Sequence, residues 1–413
     1  MAAVALSAVH GDVEPGFAAV ADEFRRNLSD RGELGAACGV YHRGRKVVDL
    51  WGGHRDRAAT LPWEEDTMVV VYSTSKGMAA TTVAVAHARG LLDYDERVAA
   101  YWPEFAENGK EEVTLRQLLA HEAGLCAVDR PLTAKTLADP EAVAAAIAPQ
   151  RPAWTPGTRH GYHALSLGFY EGELIRRVDP AGRTLGRYFQ DEIAGPLGIE
   201  FYFGVPESVP DDRIAQVKAY RRTEILRHIG PMPAAMLLGF MRRRSLTYRA
   251  FGNPRLRGPA ELNRPEYRAV ELPAATGVGQ VRAVARVYGD LATGGEALGI
   301  DERTMGALTA PAVQPPGGAR DLVLRVEAAF SLGFLKPSPL FPFGSSDRAF
   351  GHTGAGGSFG FADPDTELGF AYAPNRLGFH LRDDPREKSL RDAAFRAVGE
   401  QPRPRAAPAA RPA

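Results

Sequence analysis

Two cysteines in 413 residues, Cys38 and Cys126, stand far apart and without a Cys-x-x-Cys spacing. That scarcity excludes a disulfide framework and a thiolate zinc site, and both read as small buried hydrophobes. A surplus of either charge is also missing. Fifty basic and fifty acidic side chains cancel, which removes the electrostatic case for a nucleic-acid or anionic-membrane partner. No apolar run reaches the ~18 residues of a membrane span. The first residues lack a basic stretch and a long enough apolar run for a signal peptide, so the expected location is cytoplasmic. Lysine is scarce, since most basic residues are arginine, and the arginine- and alanine-rich composition reads as coding bias rather than a binding surface. What is present is a 45% hydrophobic content that fits a soluble globular enzyme. The length allows two to three folding units at ~150 residues each, or one large two-lobed domain.

Against that scarcity, one lysine is conspicuous. Ser73 and Lys76, in Val71-Tyr72-Ser73-Thr74-Ser75-Lys76, form the only Ser-x-x-Lys of the chain and open a long small-residue helical stretch. Three residues is nearly one helical turn, so both side chains project from one face. A serine hydroxyl needs a neighbour to take its proton. A lysine amine can do so only where burial or nearby positive charge keeps it neutral. The first turn of a helix adds unpaired N–H groups that favour developing negative charge. Alone, the pair reads equally as solvated surface residues, and its partners decide.

Two partners follow in order. Gly161-Tyr162-His163-Ala164-Leu165 comes after a Pro156-Gly157 turn, and Gly351-His352-Thr353-Gly354-Ala355-Gly356-Gly357-Ser358 leads into strand-like sequence. This order resembles the three-part signature of serine β-lactamases and penicillin-binding proteins. The stretches 118–125 and 192–199 resemble flanking segments of that superfamily, and the likeness runs from about residue 40 to about 375. It is nearest to class C-like serine hydrolases and, among them, to family VIII carboxylesterases. The resemblance implies an α/β (α+β) fold of β-lactamase/transpeptidase type. It also implies Ser73 as nucleophile, with Tyr162, Lys76 or the two together as base. An ordinary tyrosine titrates far above neutrality, so a Tyr162 phenolate would need the Lys76 cation beside it. The Ser73 and Ala355 N–H groups would form the oxyanion hole, with His352, Gly354, Gly356 and Gly357 binding substrate. No metal or cofactor is implied.

Two departures point to a branch. Class C β-lactamases carry Asn where Ala164 stands, and Lys where His352 stands. Losing an amide anchor and a fixed cation removes handles for β-lactams and cell-wall peptides but leaves acyl-ester chemistry intact. The expectation is therefore a carboxylesterase for small to medium acyl esters. An acyltransferase of the same fold is the alternative; a β-lactamase, a D-alanyl-D-alanine peptidase and a non-catalytic scaffold rank below it.

Pattern along the chain predicts a helix over 13–30, strands over 36–41 and 46–51, and a short strand over 68–72. Closing strands are predicted over 330–335, 349–351, 357–362 and 368–373, and a last helix over 388–398. The sheet would thus come from both ends of one domain spanning 1–398. An α/β lobe (about 12–72 and 321–398) would flank a helical lobe (about 73–320), with the catalytic groove between them. A Pro/Ala/Arg tail over 399–413 reads as disordered. The apolar stretch 229–240, followed by Arg242-Arg243-Arg244, reads as a core helix with a solvated basic end, and otherwise as a flap over the groove. Gly356-Gly357-Ser358-Phe359-Gly360 matches a nucleophile elbow, with His380 as base and Asp363 or Asp365 as acid. An elbow needs a helix after its serine, whereas strand-like sequence follows Ser358, so these glycines read instead as letting backbone approach substrate. His121 and His163 read as structural.

Overall fold

A computed structural model describes residues 8–220, 233–256 and 258–399. Its main sheet has eight strands among the described residues. They are β1 (Val9–Val13), β2 (Gly35–His42), β3 (Arg45–Gly53), β7 (Phe330–Ser331), β8 (Phe334–Leu335), β9 (Phe350–Thr353), β10 (Phe359–Asp363) and β11 (Leu368–Pro374), in the order β1-β3-β2-β11-β10-β9-β8-β7. A smaller sheet of β4 (Val69–Val70), β5 (Phe201–Tyr202) and β6 (Val278–Gly279) lies in the order β4-β6-β5. The β2–β3 hairpin turns at Arg43 and Gly44, whose φ of 52° and 72° suit a two-residue turn that follows strand twist. In register, Val40 faces Val48 on one side and Phe370 on the other. The first and last parts of the sequence meet there.

Seven helices concern the site and its support: α1 (Ala18–Ser29), α2 (Ser75–Ala88), α3 (Ser166–Val178), α4 (Ala234–Met241), α5 (Leu246–Phe251), α6 (Val281–Ala292) and α7 (Pro385–Ala397). α1 and α7 cover one face of the large sheet, burying Phe24, Leu390 and Phe395 against Phe361 and Phe370. α6 covers the other face, packing on β2, β10 and β11. α2 is buried at every position from Ser75 to His87, as a helix of Ala, Val, Thr and Gly can be when other elements surround it.

Several expectations change. The predicted 13–30 helix is a strand, a short 3-10 turn (Pro15–Phe17) and α1. β1 is a five-residue edge strand with Gly11 at its centre, too short to carry a period-two signal. The predicted 330–335 strand is a tight hairpin instead, because Leu332 and Gly333 both take positive φ (50° and 84°). Only Val69–Val70 of the predicted 68–72 strand is extended, and Tyr72 already belongs to a 3-10 turn. α6 falls within the stretch assigned to the helical lobe, yet its Val284, Val287 and Tyr288 face joins the core against the large sheet. The first part of the 229–240 segment and the tail from 400 lie outside the described residues.

Candidate active site

Tyr72 sets the position of Ser73. Its φ of 51° lies in the left-handed region that a bulky side chain seldom adopts, at a cost of about 1–3 kcal/mol. Burial of its ring holds it there. The turn Tyr72–Thr74 then delivers Ser73, half-buried, at the head of α2. One turn on, Lys76 is fully buried. Its Nζ lies 2.7 Å from the Ala164 carbonyl, 2.9 Å from the Ala274 carbonyl and 3.2 Å from Ser73 Oγ. Burial lowers Lys76 to about 7, against the opposing charge of Glu171. A neutral amine has two N–H donors and one lone pair. The two carbonyls can accept only from the N–H groups, so the third direction, toward Ser73, is where the lone pair can accept the serine proton.

Tyr162 completes the group. Its hydroxyl shares a hydrogen bond with Ser73, and Lys76 Nζ sits 4.7 Å from its ring centroid. Burial pushes the phenol well above its ordinary range. The condition set from sequence, a fixed Lys76 cation holding a Tyr162 phenolate, is therefore not met: burial opposes the charge on both groups.

The loop carrying Tyr162 is anchored by Asp321, which no motif announced, and by His121 and His163, which the sequence reads as structural. Asp321, fully buried, accepts from the Tyr162 N–H at 2.8 Å and from the Val323 and Leu324 N–H groups. Asp321 stands in an Arg-Asp-Leu run with no local signature, so nothing in the sequence marks it. His163 donates from Nδ1 to the Gly161 carbonyl and accepts the Leu125 N–H at Nε2, while His121 Nδ1 accepts the His163 N–H. Burial keeps both imidazoles neutral, and their partners are backbone, so they hold the loop. Glu171 was also missed. Both its oxygens are buried without a hydrogen-bond partner among the described residues, and burial raises it to about 8. It shares an α3 face with the buried Leu167, Leu174 and Ile175. A lone acid on an apolar helical face is the signal that could have found it.

The third motif lies along β9. His352 Nδ1 is 2.7 Å from the Thr353 carbonyl, which must accept, so that nitrogen carries the proton and the buried Nε2 is left as an acceptor. Nε2 has no partner among the described residues. Burial and the nearby Lys76 lower His352 to about 3; this position presents a neutral acceptor and no cation. Ala355 is exposed at the turn after β9, and neither its N–H nor that of Ser73 has an intramolecular acceptor among the described residues. Gly354 and Gly356 line the same cavity as Ser73, but Gly357 does not. A Cβ on Gly357 would meet Asp384 and Arg386, and one on Gly354 would meet Ser358 and the Val71 carbonyl. At both positions a side chain would collide with neighbouring protein, so glycine is required by packing whether or not it also meets substrate.

Ser358 is committed elsewhere. It donates to the Val71 carbonyl at 2.8 Å and accepts from Thr74 at 3.1 Å, while β10 follows it. Asp363, at the far end of β10, accepts from Ser345, and His380 lies 4.0 Å from Asp384. No elbow geometry results.

A cavity of about 740 Å³ opens over Ser73, walled in part by Tyr162, His352, Gly354 and Ala355. Met236, Leu237 and Phe240 of α4 also wall it, while Leu238 and Met241 face outward. α4 thus borders the cavity rather than serving only as a core helix, and Arg242, Arg243 and Arg244 after it are exposed. No cluster of three or more metal-binding side chains occurs among the described residues. No helix among them is long and apolar enough to cross a membrane.

Comparison with known proteins places this geometry in context. The beta-lactamase family model matches residues 20–395. The chain is 35% identical over 375 residues to the esterase/beta-lactamase LipL of Mycobacterium tuberculosis, covering 89% of this chain and 83% of LipL. It is similar to the crystal structure of a family VIII carboxylesterase (TM-score 0.82, 37% identity, 94% of this chain and 100% of that one). A penicillin-binding protein homologue from Caulobacter crescentus gives a TM-score of 0.81 at 36% identity, over 94% of this chain and 100% of that one.

Proposed function

The chain belongs to the beta-lactamase family, and from that premise we propose that it is a serine carboxylesterase working through an acyl-enzyme on Ser73. The carrying observation is the set of contacts at Lys76 Nζ, two carbonyls and one serine hydroxyl. Neutral Lys76 takes the Ser73 proton as Oγ bonds to the ester carbonyl carbon. The Ser73 and Ala355 N–H groups receive the oxyanion, each such donor contributing a few kcal/mol to the transition state. When the C–O bond to the alcohol breaks, the proton held by Lys76 reaches the leaving oxygen by way of Tyr162, which gives its own proton as it takes that of Lys76, so the amine and the phenol are both neutral again. Water then repeats the sequence, with acid as product and Ser73 restored. Lys76 and Tyr162 act as one coupled unit.

Ester rather than β-lactam chemistry is supported by two positions. Ala164 offers only its backbone carbonyl, already bonded to Lys76. His352 offers an acceptor where a substrate carboxylate would need a donor. The name of the family VIII carboxylesterase agrees with this reading, whereas that of LipL gives esterase and beta-lactamase together. We also favour a single domain up to residue 398 and a cytoplasmic location, supported by the free, buried Cys38 and Cys126 and testable by cell fractionation. Labelling with a fluorophosphonate, followed by peptide mass spectrometry, tests the nucleophile. The expected adduct is on Ser73; an adduct on Ser358, or full activity in Ser73→Ala, overturns the assignment. Adding alcohols during turnover of one ester separates hydrolysis from acyl transfer, since free acid as the sole product excludes transfer.

A further inference from the structure

An esterase assignment leaves open what the ester carries on either side of its scissile bond, and the cavity bears on that. Its volume of about 740 Å³ belongs to sites that bury a drug-sized ligand, so an acetyl group would leave most of it unfilled. Its inner wall is apolar and drawn from separate stretches: Met236 and Phe240 of α4, Phe251 at the end of α5, Leu324, and Phe330 of β7. Phe240 lies 5.3 Å from Phe251, Phe251 6.3 Å from Tyr162, and Tyr162 5.7 Å from Phe330, centroid to centroid. These rings form one band that runs up to the phenol at Ser73.

Among the described residues, the charged side chains on the wall are Arg255 and Glu327, both exposed, and the half-buried Arg382, which donates to the Glu327 carbonyl. Of the two histidines on it, His380 is part-exposed and His352 is held neutral by burial. A carboxylate placed against the aromatic band would lose its hydration and find no cation there among the described residues, a cost of several kcal/mol. An apolar group placed there sheds its own hydration and dries the wall, which is favourable.

We propose that the preferred substrates are uncharged esters bearing a bulky apolar group, an aromatic ring or an alkyl chain of about six carbons or more, seated against Phe240, Phe251, Leu324 and Phe330. This rests on the esterase reading and moves the expected substrate to the larger, more hydrophobic side of it. The apolar group can belong to the acid or to the alcohol, and two substrate series separate these cases. 4-Nitrophenyl esters from acetate to dodecanoate vary the acyl chain; acetates of ethanol, hexanol and 1-naphthol vary the alcohol.

In at least one series kcat/KM should climb about two- to fourfold per methylene, reaching about a hundredfold above the smallest member. A 4-nitrophenyl monoester of adipate, with its free carboxylate, should fall about a hundredfold or more below hexanoate. Phe251→Ala and Leu324→Trp should each lower the large-to-small ratio about tenfold. Ratios flat or falling with size in both series, or adipate matching hexanoate, would overturn the proposal. Mass spectrometry of Ser73 keeps the two readings apart. No acyl adduct from any ester removes the esterase reading and this one with it, whereas adducts and turnover that peak at acetate remove only the hydrophobic substrate class.

Discussion

The proposed mechanism turns on Lys76, and the environment of that residue fixes a pH dependence. The site needs the neutral amine, and burial has brought Lys76 to about 7, so about half the molecules hold it near neutrality. Acidification protonates it and removes the lone pair. The expected kcat/KM for an uncharged ester falls about tenfold per pH unit below about 7 and levels off above it, as a pH–rate profile would read. Glu171, itself raised to about 8, is mostly protonated across that limb, so Glu171→Gln should leave the limb in place. A limb displaced to lower pH would show instead that Glu171 carries charge beside Lys76. At the same scale, each polar contact missing at Ala164 and His352 withholds about 1–3 kcal/mol from a β-lactam. Nitrocefin should therefore turn over roughly one hundred- to ten-thousand-fold less efficiently than a good ester. Comparable kcat/KM values for the two would reverse the branch assignment.

Among elements, the loop of Tyr162 depends on Asp321. Three backbone N–H groups converge on that carboxylate, and Asp321→Ala leaves them buried and unpaired, at about 1–3 kcal/mol each if none relaxes. The expected result is a fall in kcat/KM on the order of 10- to 100-fold, with partial recovery in Asp321→Asn, which keeps one acceptor oxygen. Activity within twofold of the parent in Asp321→Ala would show that the anchor has no bearing on turnover. Ser358 predicts the opposite balance. Ser358→Ala removes a buried link between the third motif and the Val71 carbonyl, so urea unfolding should register about 1–3 kcal/mol of lost stability while turnover persists; abolished turnover in a folded variant would restore Ser358 as a candidate nucleophile. These elements also show what a sequence can disclose. Ser73, Lys76 and Tyr162 are legible because proton transfer confines residue type and spacing. The β2–β3 hairpin is legible because its turn chemistry is local. Asp321 and the cavity wall were not, because the contacts that tie them to the site, Asp321 with Tyr162 and Tyr162 with Phe330, join residues more than a hundred and fifty apart and no local pattern encodes the meeting. β1 escaped notice for a different reason: an edge strand only has to pair, so its side chains carry little alternation.

Across the whole molecule, Arg386 of α7 ties distant parts to the site. It pairs with buried Glu33, bonds Asp384, and donates to the carbonyl of Gly356 beside Ala355. Arg386→Met would leave Glu33 and Asp384 without their cation, and breaking a buried pair in this way costs about 3–5 kcal/mol. Chemical denaturation should show that loss. Stability within 1 kcal/mol of the parent would mean that Glu33 simply takes up a proton when the guanidinium is gone.

The central pairing of β2 with β11 has a consequence for how the protein is made. His42 faces Leu368 in that ladder, so several hundred residues must leave the ribosome before the first hairpin meets its neighbour. At roughly 5–20 residues per second, the wait is on the order of tens of seconds. Until β8 and β9 arrive near the end of it, α2, buried on every side in the finished fold, lacks part of its cover. Such delayed long-range closure slows folding and exposes apolar surface, so a nascent chain of this design depends on chaperone cover late in its synthesis. A stop introduced before residue 368 should yield insoluble chain rather than a smaller folded enzyme.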